Sequence, residues 1–368
     1  MPAVRETNMR FNKEINKFKI ALTSACCLRC THCFIDKDHP ENISFPRAEK
    51  GLDLLLGSPG KDKILEIYGG EPLLAFGMAQ KTIAAARAKA RKLGKNLSIS
   101  MASNGVLVTP EHLAYIAKNN IRFSISFSGG RKTQDLSRRF PSGAGTHKAL
   151  KEKIPLLLSA LGDRLHVIFC VHPRRCAAAY EDFRELARLG FRNIGIECVH
   201  GFPWRGKDYD AFGKNMRKIA AYAVTRSKPG DFIVLEPFME FFREQAHGNA
   251  FCPFLRDLEM YPDGALSLYP YPFVKNSAQR RAVAVGSAAK GVNKKFSACV
   301  PSPDSPACGD CVSAYYRLPG LSDGSRAYQM RTEICREAVK DLVGRAAAEP
   351  AAKAYLKHLI KIFKEGYT

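Results

Sequence analysis

No run of roughly 18 or more apolar residues occurs in this chain, so no segment reads as a helix that crosses a bilayer. The opening Met1-Pro2-Ala3-Val4-Arg5-Glu6 lacks the apolar stretch of a secretory signal. Both absences point to a soluble, cytoplasmic protein. Acidic residues are in deficit, 35 Asp and Glu against 57 Lys and Arg, for a net charge of +22. Such an excess can attract nucleic acid, an acidic peptide or a phosphorylated cofactor. No compact Lys/Arg block interleaved with aromatics is present, which argues against a nucleic-acid groove. No internal repeat is found.

What is there is length, core and cysteine. With 368 residues, 46% of them hydrophobic, the chain suffices for one large α/β domain and a smaller appendage. Twelve cysteines in a cytoplasmic chain suggest metal ligands or reactive thiols rather than disulfides. Nine fall in two groups, four from Cys26 to Cys33 and five from Cys252 to Cys335.

The first two hundred residues alternate strand-like and helix-like segments. Strands are expected at Phe18–Leu22, Ile64–Tyr68, Leu97–Met101, Arg122–Ser126, Leu165–Phe169 and Asn193–Glu197. Helices are expected at Arg47–Leu56, Ala79–Leu93, Glu111–Lys118, His147–Leu161 and Tyr180–Leu189. Thr109-Pro110 supplies an N-cap and a first-turn proline, and Gly94 and Gly190 stand where helices end. Six strand–helix units imply parallel strands with right-handed crossovers, a partial (β/α)6 barrel whose active site lies at the carboxyl ends of its strands. After about residue 205 the pattern changes. Helices are expected at Tyr209–Thr225 and Pro237–Gln245, and a hairpin turns at Pro262-Asp263-Gly264. Residues 273–325 are rich in Pro, Ser, Gly and Lys, and two helices, Tyr328–Val343 and Pro350–Phe363, close the chain. The expected division is a core of residues 1–235 and a small cysteine-rich α+β domain of residues 236–368.

Cys26, Cys30 and Cys33 form a Cys-x3-Cys-x2-Cys loop directly after the first strand. Thiolates this close fit around one cuboidal iron–sulfur cluster, and three of them leave one iron open to a small chelating ligand. A structural zinc loop with His32 as fourth ligand, or plain buried thiols, are the alternatives. At the end of the second strand stands Tyr68-Gly69-Gly70-Glu71-Pro72-Leu73-Leu74. Its paired glycines permit a close approach of backbone to ligand, and Glu71 offers a carboxylate to a cationic group.

In combination, the cysteine loop and the Gly-Gly-Glu-Pro turn resemble the radical S-adenosylmethionine (SAM) superfamily over roughly residues 15 to 205. The resemblance implies a 4Fe-4S cluster on Cys26, Cys30 and Cys33, and SAM bound at its open iron. It implies that His32 lies near the adenine and that Gly69, Gly70, Glu71 and Pro72 contact the SAM amino group. Ser103-Asn104-Gly105 closes the third strand as in similar enzymes. Ser126-Phe127-Ser128-Gly129-Gly130 closes the fourth and resembles the family's Ser-x-Asp-Gly, with Ser128 in place of the aspartate. Arg138 or Arg139 is expected to pair with the SAM carboxylate. Val199 and the Gly201–Trp204 segment are expected against the adenine. An electron donor such as flavodoxin or ferredoxin is implied.

The later cysteines, Cys252, Cys299, Cys308, Cys311 and Cys335, resemble a SPASM or twitch domain, which carries auxiliary clusters. The expected Gly-x-Cys is absent from the hairpin and no cysteine follows the Cys308-x2-Cys311 pair closely. One auxiliary 4Fe-4S cluster, on Cys308, Cys311, Cys335 and either Cys299 or Cys252, is therefore expected, with a structural zinc as the alternative. Cys170 and Cys198 end strands at the barrel mouth and are candidates to return a hydrogen atom to a product radical. Glu197 and His172 share that location as candidate proton acceptors. Cys27 and Cys176 have no assigned role.

The whole most resembles the sulfatase-maturase and peptide-modifying branch, which oxidises, crosslinks or epimerises a peptide or protein side chain. Only about twenty residues precede the first strand, too few for a folded peptide-recognition domain, so any leader-binding carrier would be separate. A small-molecule dehydrogenase or epimerase of sugars or aminocyclitols is the second reading. A metal-binding module that holds RNA by charge is a third, against which the Gly-Gly-Glu turn argues. No cobalamin-binding pattern is present.

Overall fold

Strand registers, rather than layers, are what bring the chemistry-bearing residues together. A computed structural model describes residues 14–33, 35–228, 230–247, 257–268, 284–292 and 321–365. Its strands are β1 (Lys17–Ala21), β2 (Asp62–Tyr68), β3 (Asn96–Ser103), β4 (Arg122–Ser126), β5 (Leu165–Val171), β6 (Asn193–Cys198), β7 (Val234–Leu235), β8 (Asp257–Met260), β9 (Ala265–Leu268), β10 (Gly286–Ser287) and β11 (Gly291–Val292). The helices are α1 (Phe45–Gly57), α2 (Phe76–Lys92), α3 (Pro110–Lys118), α4 (Arg131–Ser137), α5 (His147–Lys151), α6 (Ile154–Leu161), α7 (Ala179–Leu189), α8 (Gly206–Thr225), α9 (Glu236–His247), α10 (Leu321–Arg345) and α11 (Pro350–Lys364).

All strands join one sheet, ordered β11-β10-β9-β8-β1-β2-β3-β4-β5-β6-β7, and β1 to β7 run parallel. The two-residue period of a strand sorts its side chains between faces. On β2, Lys63, Leu65 and Ile67 are buried while Ile64, Glu66 and Tyr68 are only half-buried. On β4, Phe123 and Ile125 pack outward beneath the helices and leave Arg122 and Ser124 on the other face. Lys17 on β1 lies near enough to Glu197 on β6 to act on its charge. The sheet therefore curls into an open barrel with a polar lumen.

The helices follow from local chemistry. α1 buries Ala48, Gly51, Leu52, Leu55 and Leu56, an apolar stripe at helical spacing. Thr109 caps α3 by accepting from the His112 amide at 3.3 Å, and the His112 ring accepts from the Thr109 amide in return. Gly190 ends α7 in the left-handed conformation, φ 107°.

The six expected strands are all present, β4 with the same ends. The expected helix His147–Leu161 is instead two, α5 and α6, because Pro155 cannot donate to the preceding turn and starts a new helix. The hairpin at 262–264 forms as β8 and β9, but β8 pairs in parallel with β1, Lys19 opposite Glu259. Gly51 gives α1 the room to pass over β8, since a Cβ there would stand 2.6 Å from Met260 Cε. α10 begins at Leu321 rather than Tyr328. Cys252, Cys299, Cys308 and Cys311 lie outside the described residues.

A charge ladder runs across the barrel's edge. Lys17 and Lys19 on β1 reach Glu66 on β2 at 2.6 and 3.7 Å, and the Lys19 ammonium lies 3.8 Å from the Tyr68 ring centre. Burial opposes the Glu66 charge, but the two lysines hold its carboxyl down at about 2. Glu259 on the other side of Lys19 is pushed up to about 7 by burial, against the pull of the same lysines. The two acids act in opposite senses. Glu66 contributes stability above its unfolded value of 4.5, lost as pH falls toward about 2. Glu259 contributes stability fully present below 4.5 and lost as pH rises through about 7. Glu259→Gln should therefore flatten the fall in unfolding free energy between about pH 5 and pH 8 by at most roughly 3 kcal/mol. Urea titrations at the two pH values measure it, and an unchanged slope would show that Glu259 ionises normally.

Candidate active site

β1 runs out of its ladder at Ala21 and the chain turns away as the Cys26–Cys33 loop, at the carboxyl end of the barrel. Three seams hold that loop. The amides of Gly70 and Glu71 donate to the carbonyls of Thr23 at 2.7 Å and Ala25 at 2.9 Å. The amides of Arg29 and Thr31 donate to Arg139 and Ser137, both at 2.8 Å. Ser24 and Glu41 exchange backbone and hydroxyl bonds, tying the loop's root to the strand's far side.

The paired glycines serve the packing of the loop itself. A Cβ on Gly70 would lie 2.2 Å from the Ala25 carbonyl oxygen, and one on Gly69 would lie 2.5 Å from that of Thr23. They let one backbone approach another, the root of the cysteine loop. Glu71 is engaged by the protein itself. Its carboxylate is fully buried and accepts from the amides of Leu73 at 3.1 Å and Asn104 at 2.8 Å and from the Ser103 hydroxyl at 2.8 Å. Burial raises its pKa and these three donors oppose the rise. Glu71 is a strut between the β2 and β3 ends, with its charge already satisfied by the protein. Pro72 starts a short 3-10 turn behind it.

Through that strut Asn104 reaches the cysteines. Its side-chain amide donates to the sulfurs of Cys27 at 3.4 Å and Cys26 at 3.7 Å. Cys26 shares its thiol proton with Cys27, which raises Cys26 and lowers Cys27 to about 7. Burial raises Cys30, opposed by Arg138. Cys26, Cys30 and Cys33 are all half-buried and unbridged. Among the described residues no three His, Cys, Asp or Glu side chains gather tightly enough to hold a single metal ion. The three thiols form a looser ring along one loop.

Arg138 and His32 face the same place. Arg138 is 8% exposed, donates to the Cys170 sulfur at 3.3 Å, and keeps its buried Nε without a partner. Burial opposes its charge, yet Cys170 and Cys30 raise its pKa. No carboxylate among the described residues pairs with it. His32 is held well below its usual pKa by burial and by Arg138, and its buried Nδ1 also lacks a partner. Ser126 ends β4 half-buried, and the Ser128 amide donates to Gln134 at 2.8 Å. The Gly129-Gly130 turn is fastened from α7, where Asp182 accepts from the Gly130 amide at 3.0 Å and from the Thr133 hydroxyl at 2.5 Å.

The remaining candidates lie along the β5 and β6 ends. Cys170 is half-buried beside Arg138, and burial raises its pKa. Cys198 is buried, its thiol pushed far up by burial. The Val199 carbonyl accepts from the Trp204 indole at 3.0 Å, so Val199 and Trp204 form one wall. His172 accepts from the Arg174 amide and packs on Phe202 with ring centres 4.5 Å apart. Glu197 meets a residue that the sequence did not mark. Arg331 on α10, itself 1% exposed, pairs with Glu197 at 3.1 Å and Glu240 at 2.5 Å and donates to the Ile196 carbonyl. Burial pushes Glu197 up to about 7, aided by Glu240 and opposed by Arg331. Cys335 lies one helical turn on from Arg331, buried, with its thiol pushed up to about 12.

Residues 20–190 match the profile of the radical SAM superfamily. That stretch is just under half of the chain, and over it the sequence is similar to that superfamily. The serine-type anaerobic sulfatase-maturating enzymes of Klebsiella aerogenes and Klebsiella pneumoniae are 28% and 27% identical to it over 178 residues, 47% of this chain. Those matches span 44% and 45% of the relatives, less than half their length. Among solved structures, anSMEcpe with bound AdoMet superposes with a TM-score of 0.66 at 14% identity, covering 95% of this chain and 99% of that one. SuiB of Streptococcus suis bound to its precursor peptide SuiA gives 0.51 at 13% identity, covering 73% and 63%. At these identities the structural likeness is one of fold.

Similarity to that superfamily implies a 4Fe-4S cluster and SAM. The site suits both. It offers three thiols on one loop, a buried guanidinium with no carboxylate of its own, and two buried nitrogens, Arg138 Nε and His32 Nδ1, without partners. Such a set is completed by a ligand that brings a carboxylate and hydrogen-bond acceptors.

Two substitutions test how the site is built. Gly70→Ala forces the Ala25 carbonyl away and should cost about 1–3 kcal/mol in urea unfolding, with reduced iron uptake on reconstitution. Wild-type uptake would show that the loop does not depend on this approach. Arg331→Met leaves Glu197 and Glu240 facing each other and should cost about 3–5 kcal/mol. Arg331→Lys should recover part of that, and equal losses in the two variants would make the charge irrelevant.

Proposed function

We propose that this chain is a radical SAM enzyme that acts on a side chain of a peptide or protein. Cys26, Cys30 and Cys33 hold the 4Fe-4S cluster in this reading, and SAM lies between the cluster, Arg138 and the Val199–Trp204 wall. When bound, the reduced cluster supplies an electron that splits SAM and produces a radical able to take a hydrogen atom from the substrate. The protein's own contribution is position and proton handling. Arg138 would bind the SAM carboxylate through the N–H groups that Cys170 leaves unused, and its burial strengthens that pairing. His32, its charged form disfavoured by burial and by Arg138, would offer Nδ1 to the adenine side. Asn104 keeps two sulfurs of the loop oriented through amide donors.

Glu197 would receive a proton at its carboxylate as the substrate is oxidised, crosslinked or epimerised. A carboxyl titrating at about 7 exchanges protons readily at neutral pH. One auxiliary 4Fe-4S cluster is proposed on the C-terminal cysteines, drawn from Cys252, Cys299, Cys308, Cys311 and Cys335. The observation that carries the reading is the three-thiol loop locked beside Arg138, whose buried Nε has no partner. Its extension to a peptide substrate is supported by the sulfatase-maturating relatives and by the peptide in the SuiB structure.

Anaerobic reconstitution tests it. About eight irons per chain are expected, falling to about four when Cys26, Cys30 and Cys33 are all changed to Ala. The reduced wild type should release 5′-deoxyadenosine from SAM and the triple variant should not. A chain that takes up no iron, or a variant that still cleaves SAM, would overturn the assignment. A substrate-free chain that cleaves SAM faster with a sulfatase-derived Ser or Cys peptide, but not with sugars, would favour the peptide reading; the reverse would remove it.

A further inference from the structure

The opposite end of the barrel carries a second constellation. A cavity of about 720 Å³ opens among the amino-terminal ends of β3 to β7, away from the cysteine loop, which follows the carboxyl end of β1. Parallel strands make these two separate ends of one lumen. Four arginines line the cavity, Arg87, Arg122, Arg164 and Arg192, with His166 and His358 between them. An apolar wall of Leu97, Phe232 and Ile362 faces them.

Carboxylates do not balance these cations. Asp163 lines the cavity, Glu236 pairs with Arg122 at 3.5 Å, and Asp231 is shared by Arg192 at 3.0 Å and Arg226 at 2.8 Å. Among the described residues the cavity lining thus holds four guanidinium groups and one carboxylate, with Glu236 and Asp231 beside them. Arg87 and Arg164 are aimed by the carboxyl end of α3, donating to the carbonyls of Asn119 and Ala117. The Nε atoms of Arg87 and Arg192 are buried and have no hydrogen-bond partner. Like charges gathered in a partly desolvated space repel unless an anion joins them, and guanidinium forks match phosphate oxygens best. Both ring nitrogens of His166 already face the Arg122 guanidinium, Nε2 accepting from Nε at 2.8 Å and Nδ1 lying 3.0 Å from Nη2, and burial beside that cation disfavours the charged imidazole.

We propose that this lower lumen binds a phosphorylated small molecule, its phosphate on the arginines and its carbon body along the Leu97–Phe232–Ile362 wall. The size suits a ligand of nucleotide dimensions. Neither the cluster nor SAM carries a phosphate, so the site serves a further ligand.

Isothermal titration of the reconstituted full chain, already saturated with SAM, tests this with inorganic pyrophosphate and ADP as probes. Saturable one-to-one binding below about 1 mM is expected. The double variant Arg87→Gln/Arg164→Gln should weaken it at least about tenfold. Ser98→Asp, which puts a carboxylate into the cavity without removing an anchoring bond, should weaken binding as much and raise the low-salt melting temperature. Absence of saturable binding for both probes would overturn the proposal. So would binding that Ser98→Asp leaves unchanged, or binding of an oligonucleotide where neither small anion binds.

Discussion

Everything at the barrel mouth depends on two backbones being closer than side chains would allow. The Gly69-Gly70 turn lies against Thr23–Ala25 with no space for a Cβ on either glycine. This contact lets the Gly70 and Glu71 amides bond to the root of the cysteine loop. It also puts the Glu71 carboxylate under the end of β3, where Ser103 and Asn104 satisfy it. Asn104, fixed in turn, points its amide at Cys26 and Cys27. The loop's own bonds, such as the Cys33 amide to the Cys30 carbonyl at 3.1 Å, are thus joined by bonds from its neighbours. That is the arrangement a preorganised cofactor site requires, because a loop left free would lose ordering entropy at each binding event.

Much of this was legible from residue order and some was not. The short β-branched and aromatic runs marked the six strands, since a parallel sheet covered by helices leaves a strong hydrophobic signal. The cysteine loop and the Gly-Gly-Glu turn were legible as a pair, because each follows a recognisable strand. Helix α4 was not, for its buried face consists of Thr133, Gln134 and Ser137, which have no hydrophobic period. The place of β8 beside β1 could not be read either, because a hairpin's own pattern says nothing about the strand it joins. Arg331 was hidden for the same reason: it lies in a charged helix and its partners come from β6 and α9, far off in sequence. Glu71 was read as a carboxylate offered to a ligand, yet a buried acid has to be satisfied somewhere, and its satisfaction here comes from the next strand.

The two ends of the lumen solve the problem of buried charge differently. Near β1 each lysine has a carboxylate beside it, and the resulting ladder is nearly neutral. At the floor the guanidinium groups outnumber the acids and lean on helix-end carbonyls. At the mouth Arg138 pairs, among the described residues, with the Cys170 thiol and with no carboxylate. A buried cation paired with nothing stronger than sulfur is costly in isolation. Its retention makes sense where an anionic group completes it, which ties the mouth's electrostatics to ligand binding rather than to stability.

Glu197 connects this chemistry to the rest of the chain. Its carboxyl is desolvated, faces a second acid in Glu240, and is countered by Arg331. Remove the arginine and Glu197 would be driven further toward its protonated form; move it nearer and Glu197 would become a fully ionised spectator. The value of about 7 therefore reflects where α10 seats its arginine, between β6 and α9. The helix that carries Arg331 is the same one that carries Cys335, one turn away. Any displacement of α10, for instance by a ligand gained or lost among the cysteines that precede it, would be felt as a change in the protonation of Glu197. The C-terminal segment thus sets a property of the barrel mouth without contributing a side chain to the cysteine loop.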